Sequence, residues 1–219
     1  MHIPALLHQE GESATIFVKG CDSQERQRLS IFHECGHFDL PWHGHHAGYL
    51  CDCGLSERVP DKRLEKEAFE YASRLLFPHE AFCTDIRSQT ASLSTISHLA
   101  VRYQASFEAT SIHYVTIHPG QCALLYLLRN PEKTRGAPFI VRYSVKSNRF
   151  HRFWRPGEPI RLHDLLAEAF LKKEIQYGQI PANVFGSQKK HKYWAEVWPF
   201  GPDQLRVFLH VRDRQTTLL

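Results

Sequence analysis

The stretch FHECGHFDL, residues 32–40, constrains this chain more than any other, because it sets His33, Glu34 and His37 in the order H-E-x-x-H. Only an α-helix lets the two histidines act together. Residues four apart stand one turn above each other on the same helix face, so two imidazole nitrogens can meet one metal ion. Glu34 then lies beside that ion, placed to act as a base on water rather than as a ligand. Zinc held this way needs a third protein ligand and an open fourth position before it can do chemistry.

The flanking residues agree with a helix. Asp22 with Glu25 three residues on makes a capping-box start, and Pro41 stops the hydrogen-bond ladder. The preceding SATIFVKG, residues 13–20, is a β-branched and aromatic run that predicts a strand. Downstream, DKRLEKEAFEYASRLLFP (61–78) carries apolar residues at Leu64, Ala68, Tyr71, Ala72, Leu75 and Leu76, one face of a second helix that ends at Pro78. This helix offers Glu65, Glu67 and Glu70, any one of which could complete a His, His, Glu zinc set.

Taken together, ERQRLSIFHECGHFDL and EKEAFEYASRLLFP resemble the ImmA/IrrE family of zinc metallopeptidases, which is related to the gluzincins. With LAVRYQASFEATSI the resemblance covers approximately residues 13–118. It implies a zincin-like fold, Zn2+ as cofactor, His33 and His37 as ligands, Glu34 as general base, and Glu67, the glutamate directly before Ala68, as third ligand with Glu65 as the fallback. The chain departs from the family pattern at Phe69, where Asn or Asp is more usual, and at Tyr71, where Phe is. The resemblance also implies a partner: family members typically cleave a helix-turn-helix repressor and so release stress, prophage or defence genes.

The six cysteines, with no C-x-x-C pair and no signal-like N-terminus, read as reduced thiols or metal ligands in a cytoplasmic chain, and no apolar run is long enough to span a membrane. The segment HGHHAGYLCDC (43–53) crowds three histidines and two cysteines between the ligand helices without matching a common zinc module. It reads as a rim beside the site, and a thiolate from Cys51 or Cys53 is a candidate to occupy zinc's fourth position and hold it inactive.

Two more helices are expected in LSTISHLAVRYQ and SFEATSIHYVTI, forming a hairpin whose second helix lacks the basic face of a DNA reader. After Pro119 the texture changes to short strand-like runs: CALLYLL, FIVRYSV, RFHRFWR, YWAEVWPF and QLRVFLHV, with one helix at LHDLLAEAFLKKE. Charge divides near the same place. Residues 1–128 hold 10 Lys/Arg against 15 Asp/Glu, and residues 129–219 hold 17 against 8. The expected architecture is α+β: a helical zincin-like domain with a short N-terminal sheet over 1–118, then a smaller, β-rich, basic sensor domain of GAF-like type over 119–219.

Within the basic part, Arg142, Lys146, Arg149, Arg152 and Arg155 alternate with aromatics including Trp154. Cations neutralise phosphates and aromatic faces stack on unpaired bases, so single-stranded DNA is the expected ligand there, as an activating signal. Two other classes of function fit less of the sequence: a DNA-associated regulator with a structural or vestigial zinc site, and a toxin or processing hydrolase.

Overall fold

A computed structural model describes residues 5–10, 13–43, 61–132, 136–188 and 190–211. Two compact units emerge, one formed by residues 1–85 with 98–109 and the other by 86–97 with 110–219. The α+β organisation expected from the sequence is present, with a two-stranded sheet and helices in the first unit and a six-stranded sheet in the second.

In the first unit β1 (Ala5–Glu10) pairs antiparallel with β2 (Ser13–Val18). β2 follows the expected run, whereas β1, ALLHQE, has no clean alternation and is not legible as a strand. Helix α1 (Gln24–Asp39) starts one residue later than expected: Ser23, not Asp22, is the cap, its hydroxyl accepting the Arg26 N–H. A 3-10 turn over Pro41–His43 follows. Helix α2 (Lys62–Leu76) is capped by Asp61, which accepts the Arg63 N–H, and buries Leu64, Ala68, Ala72 and Leu76. Helix α3 (His79–Arg87) places Phe82 against Phe77 and Tyr103, and the Tyr103 hydroxyl donates to Asp85 at 2.7 Å. Arg28 on α1 donates to the Tyr103 carbonyl at 2.8 Å, tying 98–109 into this unit.

Helices α4 (Leu93–Arg102) and α5 (Phe107–Ile117) follow, with Gln104 in the left-handed region at the turn between them. The second unit's sheet comprises β3 (Cys122–Arg129), β4 (Phe139–Lys146), β5 (Pro159–Ile160), β6 (Gln176–Pro181), β7 (Lys192–Phe200) and β8 (Gln204–His210), ordered β5-β4-β3-β8-β7-β6 and antiparallel throughout. Between β5 and β6, α6 (Asp164–Lys172) contributes Leu166 and Ala169 to a core with Leu125, Val141, Trp154 and Val207. On the opposite face the Tyr126 hydroxyl meets Ser111 at 2.9 Å and Phe208 packs near Tyr114. Strand β3 is therefore covered on both faces, which is why CALLYLL reads as a continuous apolar run rather than an alternation.

RFHRFWR (149–155) is not a strand. Phe150 and Trp154 turn into the core, the Phe150 N–H closes a turn onto the Ser147 carbonyl, and no ladder partner exists for the segment among the described residues. No helix among the described residues is long and apolar enough to cross a membrane.

Candidate metal centre

Helices α1 and α2 pack together, with Gly36 set against Ala68 and Tyr71. A Cβ on Gly36 would lie 3.0 Å from the Ala68 Cα and 3.2 Å from its carbonyl oxygen, so a side chain there would crowd the α2 backbone. Small residues at this contact leave room for His33 and His37 of α1 and Glu65 of α2 to meet across it. The Nε2 atoms of His33 and His37 are 3.2 Å apart, His33 Nε2 is 3.2 Å from Glu65 Oε2, and His37 Nε2 is 3.5 Å from Glu65 Oε1.

Glu65 thus turns one carboxylate oxygen toward each histidine, and these separations are close to those a tetrahedral zinc ion requires. Bonds of about 2.0–2.2 Å at tetrahedral angles separate ligand atoms by about 3.3–3.6 Å. The donor chemistry agrees, with two imidazoles and one carboxylate and no ammonium or guanidinium in the triangle. Burial, reinforced by the neighbouring His43, pulls the His33 imidazole down to about 4, so it is neutral with a free lone pair at ordinary pH. Among the described residues this is the cluster of three or more His, Cys, Asp or Glu side chains that could hold a metal.

The structure separates Glu67 from this triangle, against the expectation that it would be the third ligand. Two residues along a helix turn through about 200°, so Glu65 and Glu67 point to opposite shoulders of α2. Glu67 instead accepts hydrogen bonds from Trp42 Nε1 at 2.5 Å and His43 Nε2 at 3.2 Å, and its other oxygen is 3.9 Å from Arg63. Those two hydrogen bonds hold its carboxyl below the ordinary carboxylate range. Glu65, the fallback, takes the position facing the histidines.

Glu34 lies next to the triangle. Burial first and the Glu65 charge second push its carboxyl up to about 7, while a hydrogen bond from the backbone of Leu7 on β1 works in the opposite direction. A carboxyl held near neutrality can both take and return a proton. Phe69 packs its ring 4.2 Å from that of His33, and His33 Nδ1 has no hydrogen-bond partner. Tyr71 donates to Asp39, a bond that pushes its hydroxyl up to about 12.

Sequence reasoning missed Trp42 and misread His43. His43, the one residue of HGHHAGYLCDC that is described, is 1% exposed and its Nδ1 is 3.0 Å from His37 Nδ1. The available signal was position: His43 follows His37 by six residues across a proline that fixes the turn. Cys51 and Cys53 lie outside the described residues.

The nucleic-acid set in the second unit is broken up. Trp154 is fully buried and its Nε1 donates to the Phe185 carbonyl at 3.0 Å, so it cannot stack on a base. Arg152 is engaged with Glu158 and the Gly186 carbonyl, and Lys146 donates to the Phe150 carbonyl at 3.0 Å. Arg142, Arg149 and Arg155 remain exposed. Alternation in the sequence marked wet and dry faces of one fold, not a stacking platform.

Comparison with known proteins places this geometry in context. A peptidase family model described as the IrrE N-terminal-like domain matches residues 4–113, half of the chain. No curated protein matches significantly. Among solved structures, a Mycobacterium tuberculosis transcriptional regulator shares the fold with a TM-score of 0.54 at 12% identity, over 93% of this chain and 70% of that one.

Proposed function

Since the chain belongs to the IrrE N-terminal-like peptidase family, we propose that it is a zinc endopeptidase whose ligands are His33, His37 and Glu65 and whose general base is Glu34. The observation that carries this reading is the cluster of His33 Nε2, His37 Nε2 and the Glu65 carboxylate, whose two oxygens lie 3.2 and 3.5 Å from one histidine each, with a carboxyl poised near neutrality beside it.

Zinc, when bound, supplies Lewis acidity toward the scissile carbonyl and the attacking water. The remaining work belongs to side chains. Glu34 accepts the water's proton as attack proceeds and hands it to the departing amine nitrogen. Burial of Glu34 and the histidines limits competing solvent. The exposed rings of Phe69, Phe38 and Trp42, on the two ligand helices and the turn between them, offer apolar contact for a peptide segment.

The substrate proposed is a helix-turn-helix repressor encoded nearby, whose cleavage releases stress, prophage or defence genes. The family resemblance supports this, as does a structural neighbour that is itself a transcriptional regulator. Single-stranded DNA acting through the exposed Arg142, Arg149 and Arg155 is the proposed activating signal, and a Cys51 or Cys53 thiolate the proposed brake, in a cytoplasmic protein. Zinc-loaded protein is incubated with the adjacent gene's product, with and without single-stranded DNA, beside Glu34→Gln. Cleavage by wild type alone supports the reading. A Glu34→Gln variant that still derepresses the target genes favours the non-proteolytic regulator instead.

A further inference from the structure

Behind the metal-facing triangle lies a second line of polar contacts running away from it: His37 Nδ1 to His43 Nδ1 at 3.0 Å, then His43 Nε2 to Glu67 Oε2 at 3.2 Å, with Trp42 Nε1 on the same carboxylate oxygen at 2.5 Å. Three elements contribute: α1, the Pro41–His43 turn and α2. His43 is buried.

The donors and acceptors can be assigned in sequence. An ionised carboxylate only accepts, so His43 Nε2 carries the hydrogen it gives to Glu67. A singly protonated His43 then has a bare Nδ1, which can only accept, and His37 Nδ1 carries the hydrogen between the two rings. Neutral His37 is left with its lone pair on Nε2, the atom that faces His33 Nε2 and Glu65. The opposite tautomer would aim an N–H at the place where a cation belongs. His33 has no equivalent support, its Nδ1 meeting no partner and its ring being held by Phe69.

We propose that His43 and Glu67 are positioning residues: a carboxylate–histidine relay that fixes His37 in the tautomer and orientation needed to bind the metal through Nε2. Partners behind a ligating histidine typically account for about 10–100-fold in metal affinity. The inference rests on the metal reading above and gives Glu67 a different role from the ligand role the resemblance implied. Acting in series, the two residues are coupled. Once His43 is gone Glu67 has nothing to transmit, and the double variant is no worse than the His43 variant alone.

The test has two arms on the full chain. In the first, zinc affinity is measured by competition with a chromophoric chelator. Expected are about 10–100-fold weaker binding in His43→Leu and in Glu67→Ala, no further loss in the double variant, and partial recovery in Glu67→Gln, whose amide oxygen can still accept from His43. In the second, imidazole 15N shifts of metal-free protein report His37 with its proton on Nδ1, and a growing Nε2–H population in Glu67→Ala, which is surface-anchored and tolerant if His43→Leu fails to fold. Unchanged zinc affinity in Glu67→Ala, or His37 protonated at Nε2 in wild type, overturns the relay. Glu67→Ala losing zinc as completely as Glu65→Ala overturns it too, by making Glu67 a ligand. If wild type binds no zinc sensitive to His33 and Glu65, the metal reading fails, and the tautomer measurement still decides the relay by itself.

Discussion

Gly36 of α1 and Ala68 of α2 touch backbone to backbone: a Cβ added to Gly36 would stand 3.0 Å from the Ala68 Cα and 3.2 Å from its carbonyl oxygen. The distance between Glu65 and the two histidines depends on this contact, since all three project from the same crossing.

Gly36→Ala puts a methyl group into this contact, and the Ala68 backbone must give by a few tenths of an ångström to admit it. Overpacking costs about 1–3 kcal/mol, and the better helix propensity of alanine returns about 1 kcal/mol. The net loss in stability is small, but a sub-ångström shift spoils a cluster whose separations are only 3.2–3.5 Å. Zinc affinity should fall by about tenfold or more while helix content by circular dichroism is retained. Wild-type affinity in the variant would remove the crossing from the account.

Glu34→Gln keeps the size of the side chain and removes the base. It should bind zinc as wild type does and cleave about 10²–10⁴-fold more slowly. Loss of zinc along with activity would make Glu34 part of the metal-holding set instead.

Trp154→Ala removes a fully buried indole together with its hydrogen bond to Phe185. Such truncations cost about 3–5 kcal/mol, so the second unit should unfold at markedly lower denaturant. A stable variant that had lost affinity for single-stranded DNA would restore Trp154 as a base platform.

Glu196 on β7 is buried and accepts the Leu93 N–H at 2.8 Å, and burial raises its carboxyl above the usual value of 4.5 despite that bond. A folded-state value above the unfolded one favours folding below the unfolded value, and this contribution is lost as pH rises through the folded value. Glu196→Gln keeps an acceptor for Leu93 without the charge. Its stability relative to wild type, from denaturant titrations between pH 4 and pH 8, should improve as pH increases. A relative stability that falls with pH would show that the ionised carboxylate is the favoured partner.

Much of this molecule is legible without coordinates because local rules and tertiary needs coincide. His33, Glu34 and His37 have one useful arrangement, a helix, and Asp61 and Pro78 bracket the second helix in the sequence as in the structure. Which glutamate of α2 faces the histidines was not legible for a geometric reason. About the buried line of α2 through Leu64, Ala68 and Ala72, Glu65 and Glu67 sit on opposite shoulders, and which shoulder meets α1 depends on how two helices cross, something no single-helix pattern records. RFHRFWR failed differently. Its alternation is real, but Trp154 finds its partner 31 residues away at Phe185, and Arg152 finds its own at Glu158 and Gly186, so the segment is held by side chains instead of a ladder.

The most direct test of the central claim is the zinc stoichiometry of the full chain by native mass spectrometry at saturating zinc, compared among wild type, Glu65→Ala and Glu67→Ala. The account predicts one zinc in wild type and in Glu67→Ala, and none in Glu65→Ala. One zinc retained by Glu65→Ala and lost from Glu67→Ala would contradict it.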